Sequence, residues 1–271
     1  MVNALPDIVL NKSVSSFHAD SFSLMREETM EPGIYTLSND AYHTGPGLSR
    51  SALMEFRKSP YHYWYKYLNP DYKPKPETPA LLFGKAFHTL VLEPDKFEGY
   101  GNVLTAYQRK LFADLEPMVK SLRKNKLAMQ LIANAQIEQS LYWTDPDTGI
   151  LCKSRPDILR PSLVADLKTA QDGSAWSFSK AIYDYGYHIQ AAMIQAALRS
   201  IKEIEVTAFW FIIVEKSAPY VVSTYKLDAA SLKKGHEDFK ALLQRYKSCL
   251  ETNDWPAYAA QEISLPRYAF N

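Results

Sequence analysis

The 271-residue chain carries 31 Lys and Arg against 30 Asp and Glu, a formal charge of +1, and 46% of it is hydrophobic. This excludes a histone-like polycation and an acidic disordered tail, and it provides for an ordinary core without a disulfide or metal staple. A local basic patch for nucleic acid stays open, because that footprint does not need a large net charge. Cys152 and Cys249 are too widely spaced for a zinc ribbon, a secreted disulfide framework or a four-cysteine iron–sulfur site. The longest apolar run, residues 208–214 (AFWFIIV), is too short for a bilayer, and the opening MVNALPDIVLNKS lacks a basic n-region. The expectation is therefore a cytoplasmic protein with no membrane partner.

Residues 1–34 read as an irregular N-terminal arm, and residues 35–271 as one domain. Residues 35–48 are rich in turn formers and end in Gly45-Pro46-Gly47. Ser49 then caps a helix with a Leu53, Phe56 and Tyr63 stripe, interrupted at Ser59-Pro60 where a second helix starts. Residues 69–79 hold four prolines and predict a connector. Residues 80–93 read as a buried helix, and 105–135 as one or two helices. A strand is predicted at 137–143, a turn at Asp145–Gly149, and strands at about 150–159 and 163–168, separated by Pro161-Ser162. Residues 175–200 read as helical. The strongest strand signal is 205–215, dense in β-branched and aromatic residues, with 219–227 returning as a hairpin across Ser217-Ala218. A last helix at 229–250 and a loose tail at 251–271 follow. The order predicts an α/β (α+β) fold, a central mixed β-sheet flanked by helices, rather than a doubly wound repeat.

The chemistry concentrates in Arg155-Pro156-Asp157 and Asp166-Leu167-Lys168. Alternation puts Val164, Asp166 and Lys168 on one strand face, and Leu163, Ala165 and Leu167 on the other, toward a core. A reversal centred on Pro161-Ser162 sets Asp157 opposite Asp166, close enough for two carboxylates to share a divalent cation. Two carboxylates with few competing nitrogen or sulfur donors suit a hard cation such as Mg²⁺, which takes phosphate oxygens as further ligands. Lys168 is placed to hold a water or to offset developing charge. Taken alone, a D-x-K triplet is equally a surface Asp/Lys pair on a strand.

These residues resemble the PD-(D/E)xK nuclease signature. Further segments are similar to the branch that contains RecE (exonuclease VIII) and, more distantly, the RecB nuclease domain and lambda-type exonuclease. They are residues 83–90 (FGKAFHTL) with Leu92-Glu93-Pro94, residues 47–53 (GLSRSAL) with Ser59-Pro60, and residues 187–190 (YHIQ). The resemblance covers about residues 40–230. It implies a restriction-endonuclease-like core and a Mg²⁺-dependent exonuclease, with Mn²⁺ able to substitute. It further implies action on double-stranded DNA ends, 5′→3′, leaving a 3′ single strand for a RecT-like annealing protein, by a homo-oligomeric ring. An endonuclease on the same scaffold and a non-catalytic DNA-end-binding subunit are the competing readings.

The resemblance also implies individual roles. His88, by itself an ordinary histidine on an apolar helix, joins Asp157, Asp166 and Leu167 as the metal set, and its need to be neutral predicts lost activity at acid pH. Glu138, otherwise a solvated edge glutamate, completes the acidic cluster. Gln190 touches the site, and Tyr187, on the same helix face, supports it. Ser49, Arg50 and Ser51 begin a helix and are the candidate 5′-phosphate pocket, and Arg155 is carried as a DNA contact. Residues 50–75 hold six Lys or Arg against Glu55 and Asp71. Some of those charges are expected on phosphates, and the interleaved aromatics mostly in the core. Residues 145–149 (DPDTG) are a hairpin turn rather than half a Ca²⁺ loop.

Overall fold

Alternating apolar residues on two adjacent strands, each covered on both faces, organise the molecule. The computed structural model describes residues 30–101, 110, 112–266 and 269. Within them, in chain order, come β1 (Gly33–Tyr35), α1 (Asn39–Thr44), α2 (Arg50–Lys58) and α3 (Pro60–Tyr63), which continues into a π-helical turn at Trp64–Leu68. Next are α4 (Pro79–Leu92), α5 (Pro94–Gly101), α6 (Leu115–Lys124) and α7 (Lys126–Ile132). Five strands follow: β2 (Gln136–Ile137), β3 (Ser140–Thr144), β4 (Leu151–Ser154), β5 (Ile158–Arg160) and β6 (Leu163–Ala170). The chain closes with α8 (Ala175–Asp184), α9 (Tyr187–Lys202), β7 (Ala208–Glu215), β8 (Val222–Lys226) and α10 (Ala229–Thr252).

The main sheet has the order β2-β5-β6-β7-β8. Only β6 and β7 run parallel, joined through the α8–α9 crossover, so the sheet is mixed as expected. Val164, Phe209, Phe211 and Ile213 pack with Ile189 and Ile194 of α9 and with Phe239 and Leu243 of α10. Ala165, Leu167, Ile212 and Val214 pack with Phe83 and Phe87 of α4 and with Met118 and Leu122 of α6. The β6 face that carries Asp166 is therefore also a core face, and Asp166 has no exposed surface.

Helix starts follow the capping residues. Ser49 accepts from Ala52 N at the head of α2, and Ser59 accepts from His62 N with Pro60 in the first helical turn. The connector holds, with α4 beginning at Pro79 behind a Thr78 cap. The start of the predicted 105–135 helical stretch and most of the predicted N-terminal arm lie outside the described residues.

Several expectations are corrected. The turn-rich 35–48 segment contains a six-residue helix, α1, capped by Ser38. The strand predicted over 137–143 is two short strands in different sheets. Glu138 sits between them at φ 52°, and β3 joins a second sheet of order β1-β3-β4. The strand predicted over 150–159 divides in the same way at Arg155-Pro156-Asp157, because Pro156 has no N–H for a ladder. Both segments change sheets side by side, and Glu138 N donates to Asp157 O at 3.1 Å across the crossing point. The helix predicted over 175–200 is broken at Gly186, whose φ of +67° suits glycine. A Cβ there would also lie 2.3 Å from Met54 Sδ.

The α9–α10 contact is equally close. A Cβ at Gly235 would stand 2.2 Å from the backbone oxygen of His188. Gly235→Ala must push the helices apart, which should cost about 3 kcal/mol, the upper end of ordinary overpacking. Urea unfolding measures this, and an unchanged midpoint would contradict the packing described.

Candidate metal centre

The site forms where β5 gives out beside β6. The β5–β6 register pairs Ile158 with Ala165, so one step further on, Asp157 faces Asp166, as the reversal about Pro161-Ser162 predicts. Asp157 no longer belongs to the strand, and its side chain takes over the ladder: Oδ2 accepts from Leu167 N at 2.7 Å. The same oxygen lies 3.5 Å from His88 Nδ1, delivered by α4. Glu138 arrives from the positive-φ crossing point. One ligand atom from each of His88, Glu138 and Asp157 falls within 4.8 Å of the others.

Like charges are crowded here. Burial, then the neighbouring Asp157, pushes the Glu138 carboxyl up to about 8, against the pull of Arg155. Burial and the Asp166 charge raise Asp157, opposed by His88, Lys168 and the Leu167 N–H. Carboxylates held together at this cost are relieved by a cation, and two carboxylates with one imidazole suit a divalent ion. The residues present thus fit a metal site, with His88, Glu138 and Asp157 as its donors.

Asp166, expected to share the metal with Asp157, stands beside this group of three. Its Oδ1 accepts from Gln190 Nε2 at 2.8 Å. Its Oδ2 lies in ion-pair contact with Lys168 Nζ, without an aligned hydrogen bond. Gln190 Oε1 is buried with no hydrogen-bond partner among the described residues. Burial disfavours the Lys168 ammonium, but Asp166 and then Asp157 outweigh it and raise its pKa. The ammonium also lies 4.9 Å from the centroid of the Tyr187 ring. Leu167, expected with the metal set, is seen to give its N–H to Asp157.

A broad cleft connects these groups to the α2 N-terminus. Ser49, Arg50 and Ser51 line it together with His88, Glu138, Asp157, Lys168, Tyr187 and Gln190. The Ser49 hydroxyl caps α2 and lies 2.9 Å from that of Ser51, while Arg50 donates to Tyr185 O at 3.0 Å. Arg155, expected as a DNA contact, lines the same cleft with its guanidinium engaged by the fold. Its guanidinium donates to Glu138 O, Asn39 Oδ1 and Leu37 O, and it lies 3.4 Å from Glu138 Oε2. Those bonds tie it into the fold as a brace for Glu138. The Asp145–Gly149 turn is a hairpin turn, with Asp145 Oδ1 accepting from Thr148 N.

Sequence reasoning missed Lys153. It is buried on β4 and donates to Tyr42 O and Gly45 O, fixing the Gly45-Pro46-Gly47 loop at the cleft mouth. Burial lowers its ammonium pKa to about 8. A lysine directly after the apolar run Ile150-Leu151-Cys152 in a predicted strand was the available signal.

Fold and site together define a PDDEXK-like protein. Residues 49–265 match the family described as a PDDEXK-like domain of unknown function (DUF3799), and the chain belongs to that family. A comparison with curated proteins finds no match. Among solved structures, a Eubacterium rectale protein provisionally named an exonuclease is similar at TM-score 0.64 and 17% identity, over 85% of this chain and 97% of that one. A phage-related exonuclease from Haemophilus somnus is similar at TM-score 0.36 and 13% identity, over 76% and 96% respectively. The first likeness is one of fold. No helix among the described residues is long and apolar enough to cross a membrane.

Divalent binding at the three donors should stabilise the protein by about 2.7 kcal/mol at a hundredfold excess over Kd. Thermal unfolding with Mg²⁺ or Mn²⁺ against chelator reads this out. Asp157→Asn should abolish the response, and a full response in that variant would move the metal elsewhere.

Proposed function

We propose that the protein is a Mg²⁺-dependent exonuclease of the RecE kind that degrades double-stranded DNA from its ends, 5′→3′, with Mn²⁺ able to replace Mg²⁺. The observation that carries this reading is the juxtaposition of the His88, Glu138 and Asp157 cluster with the Lys168 ammonium at one end of β6, facing an open cleft. A protein that only holds DNA ends has no physical use for a largely buried ammonium beside three crowded carboxylates.

In this reading His88, Glu138 and Asp157 hold the cation, with Asp166 beside them. The bound ion supplies polarisation of the phosphoryl group and a lowered pKa for its water. Lys168 orients the attacking water or offsets the negative charge that develops as the P–O bond to the leaving oxygen breaks. Gln190 holds Asp166, and through it the Lys168 ammonium, at a fixed distance from the scissile phosphate. Ser49, Arg50 and Ser51 receive the 5′-phosphate of the end being degraded, a role suited to a helix N-terminus with two hydroxyls and a guanidinium. Tyr187 keeps its ring against Lys168. We assign this activity to residues 35–271 as one unit, working in the cytoplasm. The 3′ single strand would pass to an annealing protein of the RecT kind. A homo-oligomeric ring around the duplex would turn a weakly charged face on each subunit into continuous contact.

The test is a set of linear duplexes labelled at either end, with and without 5′-phosphate, incubated with Mg²⁺ or chelator. Loss of 5′-terminal nucleotides, faster with the phosphate and absent with chelator, is expected. Nicking of closed circular DNA would favour an endonuclease, and binding without cleavage an end-binding subunit. Lys168→Ala should lower kcat by at least 100-fold, in the range of other electrostatic transition-state contacts, while leaving DNA affinity nearly unchanged. Wild-type turnover by that variant would refute the assignment of Lys168.

A further inference from the structure

Next to the cleft-lining Tyr187 stands an exposed aromatic side chain that the cleavage centre does not use. Tyr185 lies in the short break between α8 and α9 and is 59% exposed. Its ring centroid is 5.7 Å from that of Tyr187, which lines the cleft and lies against Lys168. The break that presents it is held rigidly. Arg50 donates to Tyr185 O at 3.0 Å and Arg57 donates to Tyr183 O at 3.1 Å, both from α2. Tyr183 anchors the same segment, with its ring stacked on His188 at 5.7 Å and the Arg57 guanidinium 4.6 Å from its centroid. Gly186 closes the turn against Met54 in a backbone conformation unfavourable to other residues.

We propose that Tyr185 is a stacking surface for an unpaired base of the DNA strand at the cleft, next to the nucleotide whose phosphate reaches Lys168. This rests on the nuclease reading and specifies how that site meets its substrate. An exposed aromatic normally loses conformational freedom when it binds. Here the backbone on both sides is already fixed and the ring lies against Tyr187, so the loss is confined to the side chain. Arg50 and Arg57 lie over the neighbouring Tyr187 and Tyr183 rings, 5.6 and 4.6 Å from their centroids, and supply positive charge for the phosphates that accompany each base. A polyanion with flat π faces matches that combination of ring and positive charge, whereas a purely apolar protein partner makes no use of the charge. Stacking is tolerant of sequence, which suits an enzyme that must accept every base in turn.

The test compares two single-stranded oligonucleotides of equal length, one with bases throughout and one with abasic sites at its terminal positions. Binding is read by fluorescence anisotropy in chelator, so that nothing is cut. Wild type should prefer the base-bearing strand by roughly tenfold, the usual scale for one stacked base. Tyr185→Phe should keep the preference, because it keeps the ring. Tyr185→Ala should lose it while binding the abasic strand as wild type does. A Tyr185→Ala variant with the wild-type preference overturns the proposal. So does a wild type that cleaves duplex ends but shows no base preference, which leaves the nuclease reading intact. A wild type that neither binds nor cleaves DNA overturns both. A change of sedimentation in Tyr185→Ala with base preference retained would make the surface a contact between copies and also refute the stacking role.

Discussion

One hydrogen bond between a side chain and the backbone sets the geometry of the site. Pro156 ends the β4–β5 region as a ladder, and the next residue, Asp157, restores the missing bond with its carboxylate by accepting from Leu167 N. The acid is thereby fixed to β6, the strand that carries Asp166 and Lys168. Its remaining capacity is directed toward His88 and Glu138. A carboxylate free to rotate would turn toward water. This one is anchored at one oxygen, so its position relative to Lys168 is set by the sheet.

The second constraint is electrostatic. Three carboxylates, Glu138, Asp157 and Asp166, share a mostly buried region, and burial alone disfavours their charges. Arg155 compensates on one side and Lys168 on the other. Each cation is itself held: Arg155 by backbone oxygens at Leu37 and Glu138, Lys168 by Asp166 and the Tyr187 ring. The two are not equivalent. Both line the cleft, but the Arg155 guanidinium donates to three acceptors of the fold, whereas Lys168 meets Asp166 and the Tyr187 ring. A cluster balanced in this way fits a divalent ion, and it concentrates fixed charge at the cleft.

The parts legible in the sequence were those governed by short-range rules. Alternation along residues 163–168 and the symmetric reversal at Pro161-Ser162 give the Asp157–Asp166 register without any tertiary information. Ser49, Ser59 and Pro79 mark helix starts for local reasons. What escaped depends on contacts between distant residues. Glu138 and Asp157 change sheets together, which neither segment signals alone. Gly186 breaks a helix in a left-handed conformation, at a place where Met54 leaves no room for a Cβ. Arg155 looked available for DNA because its acceptors, at Leu37 and Asn39, lie more than a hundred residues earlier. Spacing also does not reveal the Gln190 amide that donates to Asp166 Oδ1, or the Lys168 ammonium paired with its Oδ2.

The central claim is that a divalent ion is held by His88, Glu138 and Asp157 at the end of β5. Anomalous diffraction from crystals of the protein grown with Mn²⁺ locates the ion directly. The account predicts a peak within coordinating distance of those three side chains, with Lys168 close by. A peak on another part of the surface, or none at Mn²⁺ concentrations that support cleavage, would contradict it.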